Sequence, residues 1–155
     1  YPNLSADARS WIYGKGEELY STVYNANCEY ISGFLRDPST IPNIAIFNLI
    51  KAKKYNAYID QEKDAKDIFE KHAKGIEGWH VMKRKGMVVN SEGAWDMVTI
   101  DLFDTWEKAN QNWWSEIPRN VMKKHNEKHG SDLREIRHRV MTRLLFDART
   151  DKKED

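Results

Sequence analysis

Trp95, Val98, Leu102, Trp106, Ala109 and Trp113 follow one another at steps of 3, 4, 4, 3 and 4 residues, with Trp114 alongside. Apolar residues at that spacing share one face of an α-helix. Each indole carries a large apolar surface and an N–H that needs a partner, so such a stripe marks the core of a bundle or a face built for docking. Ser91 is a natural N-cap for this helix, and Asp96, Asp101, Asp104 and Glu107 would turn away from its apolar face.

The same spacing predicts helices elsewhere. One runs over 15–36, with Leu19, Val23, Ala26, Tyr30 and Phe34 on a common face, and stops at Asp37-Pro38. A longer one, the central helix, runs from Asn43 or Ile44 to Ala73 and ends before Gly75 and Gly78. Pro118 opens a fourth that fades by Gly130. Asp132, three residues before Glu135, resembles a capping box for a last helix bearing Leu133, Ile136, Val140 and Leu144. Met87-Val88-Val89 reads as a short strand or extended loop, and one isolated strand makes no sheet. The expected fold is all-α: a single-domain bundle of about five helices with one long central helix over residues 1–150, and a frayed charged tail over 151–155.

Composition narrows the function. The net charge of +1 hides an alternation: residues 41–90 and 115–155 are basic, and 91–114, the tryptophan-rich segment, is acidic. Alternating charge suits docking on a patterned macromolecule better than nucleic-acid binding, which favours a uniform basic stripe. Cys28 has no partner for an internal disulfide, and with no basic neighbour in sequence it reads as an inert buried thiol. No apolar run approaches the roughly 20 residues of a membrane span. The opening Tyr1-Pro2-Asn3 suits a secreted protein cut from a leader, and Asn3-Leu4-Ser5 is a glycosylation sequon.

No phosphate loop, nucleophile elbow or acid–base pair is legible, so neither enzyme activity nor a cofactor is expected. His125 and His129 lie one helical turn apart but lack further ligands for a closed metal site, and read as a solvated pair. Candidate binding residues are the aromatics Trp11, Tyr13, Tyr55, Trp79 and Trp114, and two basic patches. These are Lys51, Lys53 and Lys54 with Lys83, Arg84 and Lys85; and, with His138 and Arg139, Arg134, Arg137 and Arg143. The last group, on an amphipathic helix, could grip phosphate or an acidic protein. An intracellular nucleic-acid or acidic-protein binding module is therefore the alternative.

Several segments, in order, resemble the sperm lysin family of marine gastropods: abalone lysin, its fusogenic acrosomal paralogue and the turban-snail acrosomal proteins. They are Arg9-Ser10-Trp11-Ile12-Tyr13, Ile31-Ser32-Gly33-Phe34-Leu35-Arg36, Lys53-Lys54-Tyr55, and Ile100-Asp101 followed by Ile117-Pro118. The resemblance implies a helical bundle stored in the sperm acrosome and secreted at fertilisation. Such a protein binds an egg-coat glycoprotein stoichiometrically and opens the coat without catalysis, or acts on membranes like the fusogenic paralogue. It also implies basic tracks and an aromatic patch that supports a homodimer, matched here by Lys53, Lys54 and Tyr55. Unlike the strongly basic abalone members, this chain is nearly neutral.

Overall fold

Isoleucines at 44, 46 and 50 alternate with partly buried residues, and this period of two, rich in β-branched side chains, makes the segment a strand rather than the start of a helix. The computed structural model describes residues 26–86 and 94–144. Its elements are β1 (Cys28–Leu35), β2 (Ile44–Ala52), α1 (Tyr55–His72), β3 (Gly78–Arg84), β4 (Met97–Phe103), α2 (Trp106–Asn110), a 3-10 turn (Trp113–Glu116), α3 (Arg119–His129) and β5 (Arg134–Arg143).

The strands form one antiparallel sheet in the order β1-β3-β4-β2-β5. β2 and β3, joined through α1, both pair antiparallel with β4 and so run parallel with β4 between them. The run β2-α1-β3-β4-α3-β5 is the βαββαβ order of ferredoxin-like domains, and β1 extends the sheet beyond β3. Tyr58, Ala65 and Phe69 of α1 join Ile44, Ile46, Ile50, Trp79, Val81, Met97 and Phe103 in one core between helix layer and sheet. Arg36, just after β1, donates to the carbonyls of Glu70, Ala73 and Ile76 at 3.1, 2.7 and 2.8 Å, and so satisfies orphan carbonyls where α1 ends.

The helical bundle is therefore not what this sequence forms: four of the five strands lie in segments expected to be helices, and β3 lies between two of those segments. The expected central helix divides at Lys53-Lys54 into β2 and α1. The tryptophan stripe divides into β4, the short α2 and the 3-10 turn, which leaves Trp113 buried but Trp106 41% exposed. The basic C-terminal helix is the strand β5, and Asp132 pairs with Lys53 instead of capping. Within the expected first helix, residues 28–35 are β1, and its earlier residues lie outside those described, as do Met87-Val88-Val89 and the 151–155 tail. α3 stands where the fourth helix was expected, with Pro118 at its N-cap and Gly130, at φ 93°, closing it. The bundle implied by the sperm lysin resemblance falls with this correction, and the fold lends that resemblance no support.

Candidate functional site

Polar side chains interrupt the helix-facing side of the sheet at its centre. β2 places Asn48 between Ile46 and Ile50, and β4 places Thr99 and Asp101 between Met97 and Phe103. Asn48 lies across from Thr99, and Asp101 lies between Ile46 and Trp79. Asn48 Nδ2 donates to Thr99 Oγ1 at 3.2 Å and to Asp101 Oδ2 at 3.1 Å.

β5 supplies two arginines to the same side. Residues 134 and 139 are an odd number apart and would face opposite ways in a regular strand. A bulge intervenes: Leu49 pairs with His138 while Ile50 pairs with Ile136, so Arg137 is the extra residue. The change of phase turns Arg139 back toward the helices, as bulges do when they re-aim a side chain. Arg139 Nε donates to Asn48 Oδ1 at 2.8 Å. Arg134 Nη1 donates to Glu62 Oε1 at 2.8 Å and to the Tyr58 hydroxyl at 3.1 Å, reaching α1.

Burial sets the charge states. Glu62 is 4% exposed, and desolvation raises its carboxyl even though Arg134 pulls the other way. Desolvation likewise raises the Tyr58 hydroxyl, with Glu62 adding to the effect. Asp101 is pushed up to about 6 by desolvation, against the Asn48 hydrogen bond and the attraction of Arg139 and Arg134. Glu62 is bound into an ion pair, whereas Asp101 has, among the described residues, a single hydrogen-bond donor, Asn48.

Two adjoining hollows open over this cluster. The inner one, about 100 Å³, is lined by Asn48, Thr99, Asp101, Arg134, Arg139 and Ile136, with Trp79, Phe69 and Trp114. The outer one, about 620 Å³, lies between α1 and α3 and shares Glu62, Phe69, Trp114 and Arg134 with it. Phe69 meets Trp79, Trp113 and Trp114 edge-on at 5.2, 5.2 and 4.9 Å, and Trp114 stacks on Trp113 at 4.5 Å. This aromatic wall is fixed from behind, because Phe69 and Trp113 are buried. His125, 7% exposed, lines the outer hollow from α3, and burial lowers its pKa. Its ring lies 4.9 Å from that of His129, whose Nε2 is 2.7 Å from Asp64 Oδ2. The histidines are thus packed groups rather than the solvated pair expected, and among the described residues no three metal-ligating side chains converge.

Of the residues singled out from the sequence, the cleft brings together Trp114, Trp79, Arg134 and Arg139, with Trp79 buried in its floor. Three of the lysines are paired with carboxylates. Lys51 pairs with Asp96 at 3.0 Å, Lys83 with Glu29 at 3.2 Å, and Lys53 with Asp132. Lys54 and Tyr55 are exposed where α1 begins, Arg84 lies over the Trp95 ring, and Lys85 is exposed. Arg137 pairs with Glu135 at 3.1 Å, and Arg143 is exposed at the end of β5. Trp11 and Tyr13 lie outside the described residues. Cys28 is partly buried, and desolvation raises its thiol. Sequence reasoning missed Asn48, Glu62, Thr99, Asp101 and His125; the available signal was polar residues at inward positions of otherwise apolar segments. No family model matches the chain, and comparison with curated proteins and with solved structures returns no match.

Proposed function

We propose that this domain binds a small molecule in the cleft between its helices and its sheet, and exchanges a proton with it through Asp101. The carrying observation is the placement of Asp101: a partly buried carboxyl with one hydrogen-bond donor among the described residues, on the wall of a hollow ringed by Trp79, Phe69 and Trp114. A concave site with an apolar wall and a few convergent polar groups is the usual form of a ligand pocket. A carboxyl held near 6 is matched to proton transfer close to neutral pH. This reading departs from the expectation of a non-catalytic protein.

The test is ligand-observed NMR with a panel of small aromatic and polar compounds, followed by competition among the binders. Binders should share one site and lose affinity in Trp114→Ala and in Asp101→Leu. A panel without binders, or binders indifferent to both changes, refutes the proposal. A second reading, stoichiometric docking on an egg coat or another protein surface, draws on the exposed Tyr55, Trp106 and Trp114. It requires a protein partner whose binding weakens in Trp106→Ala, a residue that does not line the cleft.

A further inference from the structure

Resting on the small-molecule reading, we infer that the ligand is a small planar carboxylate. Its anionic group is taken by Arg139 in the inner hollow, and its ring lies against Trp114 and Phe69.

Arg139 commits its Nε to Asn48, and its two Nη groups have no hydrogen-bond acceptor among the described residues although the side chain lines the hollow. A guanidinium with two parallel N–H groups free matches a carboxylate's two oxygens. Charge points the same way. Arg119, Arg134 and Arg139 line the two hollows, while Glu62 is already consumed by Arg134. Apart from Glu62 and Asp101, no carboxylate among the described residues lines either hollow.

Asp101 decides the charge of the anion. Protonated, it donates a hydrogen bond to an incoming carboxylate; ionised, it repels one, and it repels a dianion such as phosphate more strongly. The groups that act on it are Glu62 from α1, Arg134 and Arg139 from β5 and Asn48 from β2; Tyr58 from α1 is held by Arg134, and Trp79, the β3 partner of Asp101, does not titrate. Arg119 and His125 from α3 line only the outer hollow. Binding of a monoanion therefore takes up a proton, and its apparent affinity follows the fraction of Asp101 that is protonated. The wall suits a flat ring, because Trp114 is 38% exposed on its open side while Trp113 backs it.

The test titrates the whole chain with 2-naphthoate and with its neutral isostere 2-naphthamide at pH 5.5 and 8, read by tryptophan fluorescence and calorimetry. Naphthoate should bind at least about tenfold more tightly than the amide at pH 5.5, and weaken by more than about tenfold at pH 8. Arg139→Gln should abolish the preference for the acid while leaving amide binding in place. Asp101→Asn should keep the preference and remove its pH dependence. If amide and acid bind equally, or Arg139→Gln leaves the preference intact, the carboxylate assignment is wrong and the small-molecule reading stands. If neither compound binds at either pH, both fall.

Discussion

Replacing Asp101 by asparagine should make the protein more stable at neutral pH, the reverse of what removing a buried charged residue usually does. The carboxyl is raised to about 6 in the fold, from an ordinary 3.8. A group whose folded pKa lies above its unfolded value favours the native state when protonated. Its contribution is complete below about pH 4 and is lost as pH rises through 6. A gap of about two pH units is worth up to about 3 kcal/mol, and partial exposure to the hollow reduces this to between about 1 and 3. Asparagine keeps an oxygen for Asn48 Nδ2 and carries no charge to desolvate. Urea unfolding followed by tryptophan fluorescence should show Asp101→Asn more stable than wild type by about 1–3 kcal/mol at pH 8 and near parity at pH 4. In a domain of this size that is about 2–4 °C in Tm for each kcal/mol. A variant less stable at pH 8, or a difference that does not change with pH, would mean that Asp101 is a structural counter-ion for Arg139, and the acid–base reading would lose its basis.

Arg134→Met should destabilise by about 3–5 kcal/mol at pH 8, because Glu62 is left buried without its cation. The loss should shrink in acid as the raised Glu62 carboxyl takes a proton, and Glu62→Met with Arg134→Met should recover most of it; urea midpoints across pH measure both. Phe69→Ala removes the ring that contacts three tryptophans and should cost about 3–5 kcal/mol, with a changed native emission spectrum. Trp106→Ala should cost no more than about 1 kcal/mol by thermal unfolding, since the side chain is 41% exposed and not part of a helical core stripe.

Sequence and structure agree where one face of a segment is apolar and the other polar. α3 is of this kind, opened by Pro118 and closed by Gly130, and so is the second half of the expected central helix. The strands resist a period-based reading for a physical reason. β4 is buried or partly buried on both faces, so Met97 to Phe103 shows no alternation that would separate a strand from a helix. In β5 the extra residue at Arg137 shifts the phase, and period-two reading fails across it. The same bulge hides the site, because nothing in the spacing of Arg134 and Arg139 says that they share a face. A helical reading of β4 turns Asp101 out to solvent, whereas the strand places it on the side that faces the helices. Arg134 and Trp114 were legible as binding residues by their chemistry alone, although what they face was not.

The order of the strands also governs when the site can exist during synthesis. β2 emerges early, yet both of its neighbours lie far downstream: Asn48 meets Asp101 after 53 residues and Arg139 after 91. Until β4 and β5 have left the ribosome, the isoleucine-rich strand Ile44 to Ala52 has two open edges available for mispairing with another chain. Premature termination before β5 would leave one edge permanently open and remove both site arginines. Truncated chains should therefore aggregate rather than persist as soluble, inactive domains, and expression of this protein should be sensitive to the speed at which its last strand is made.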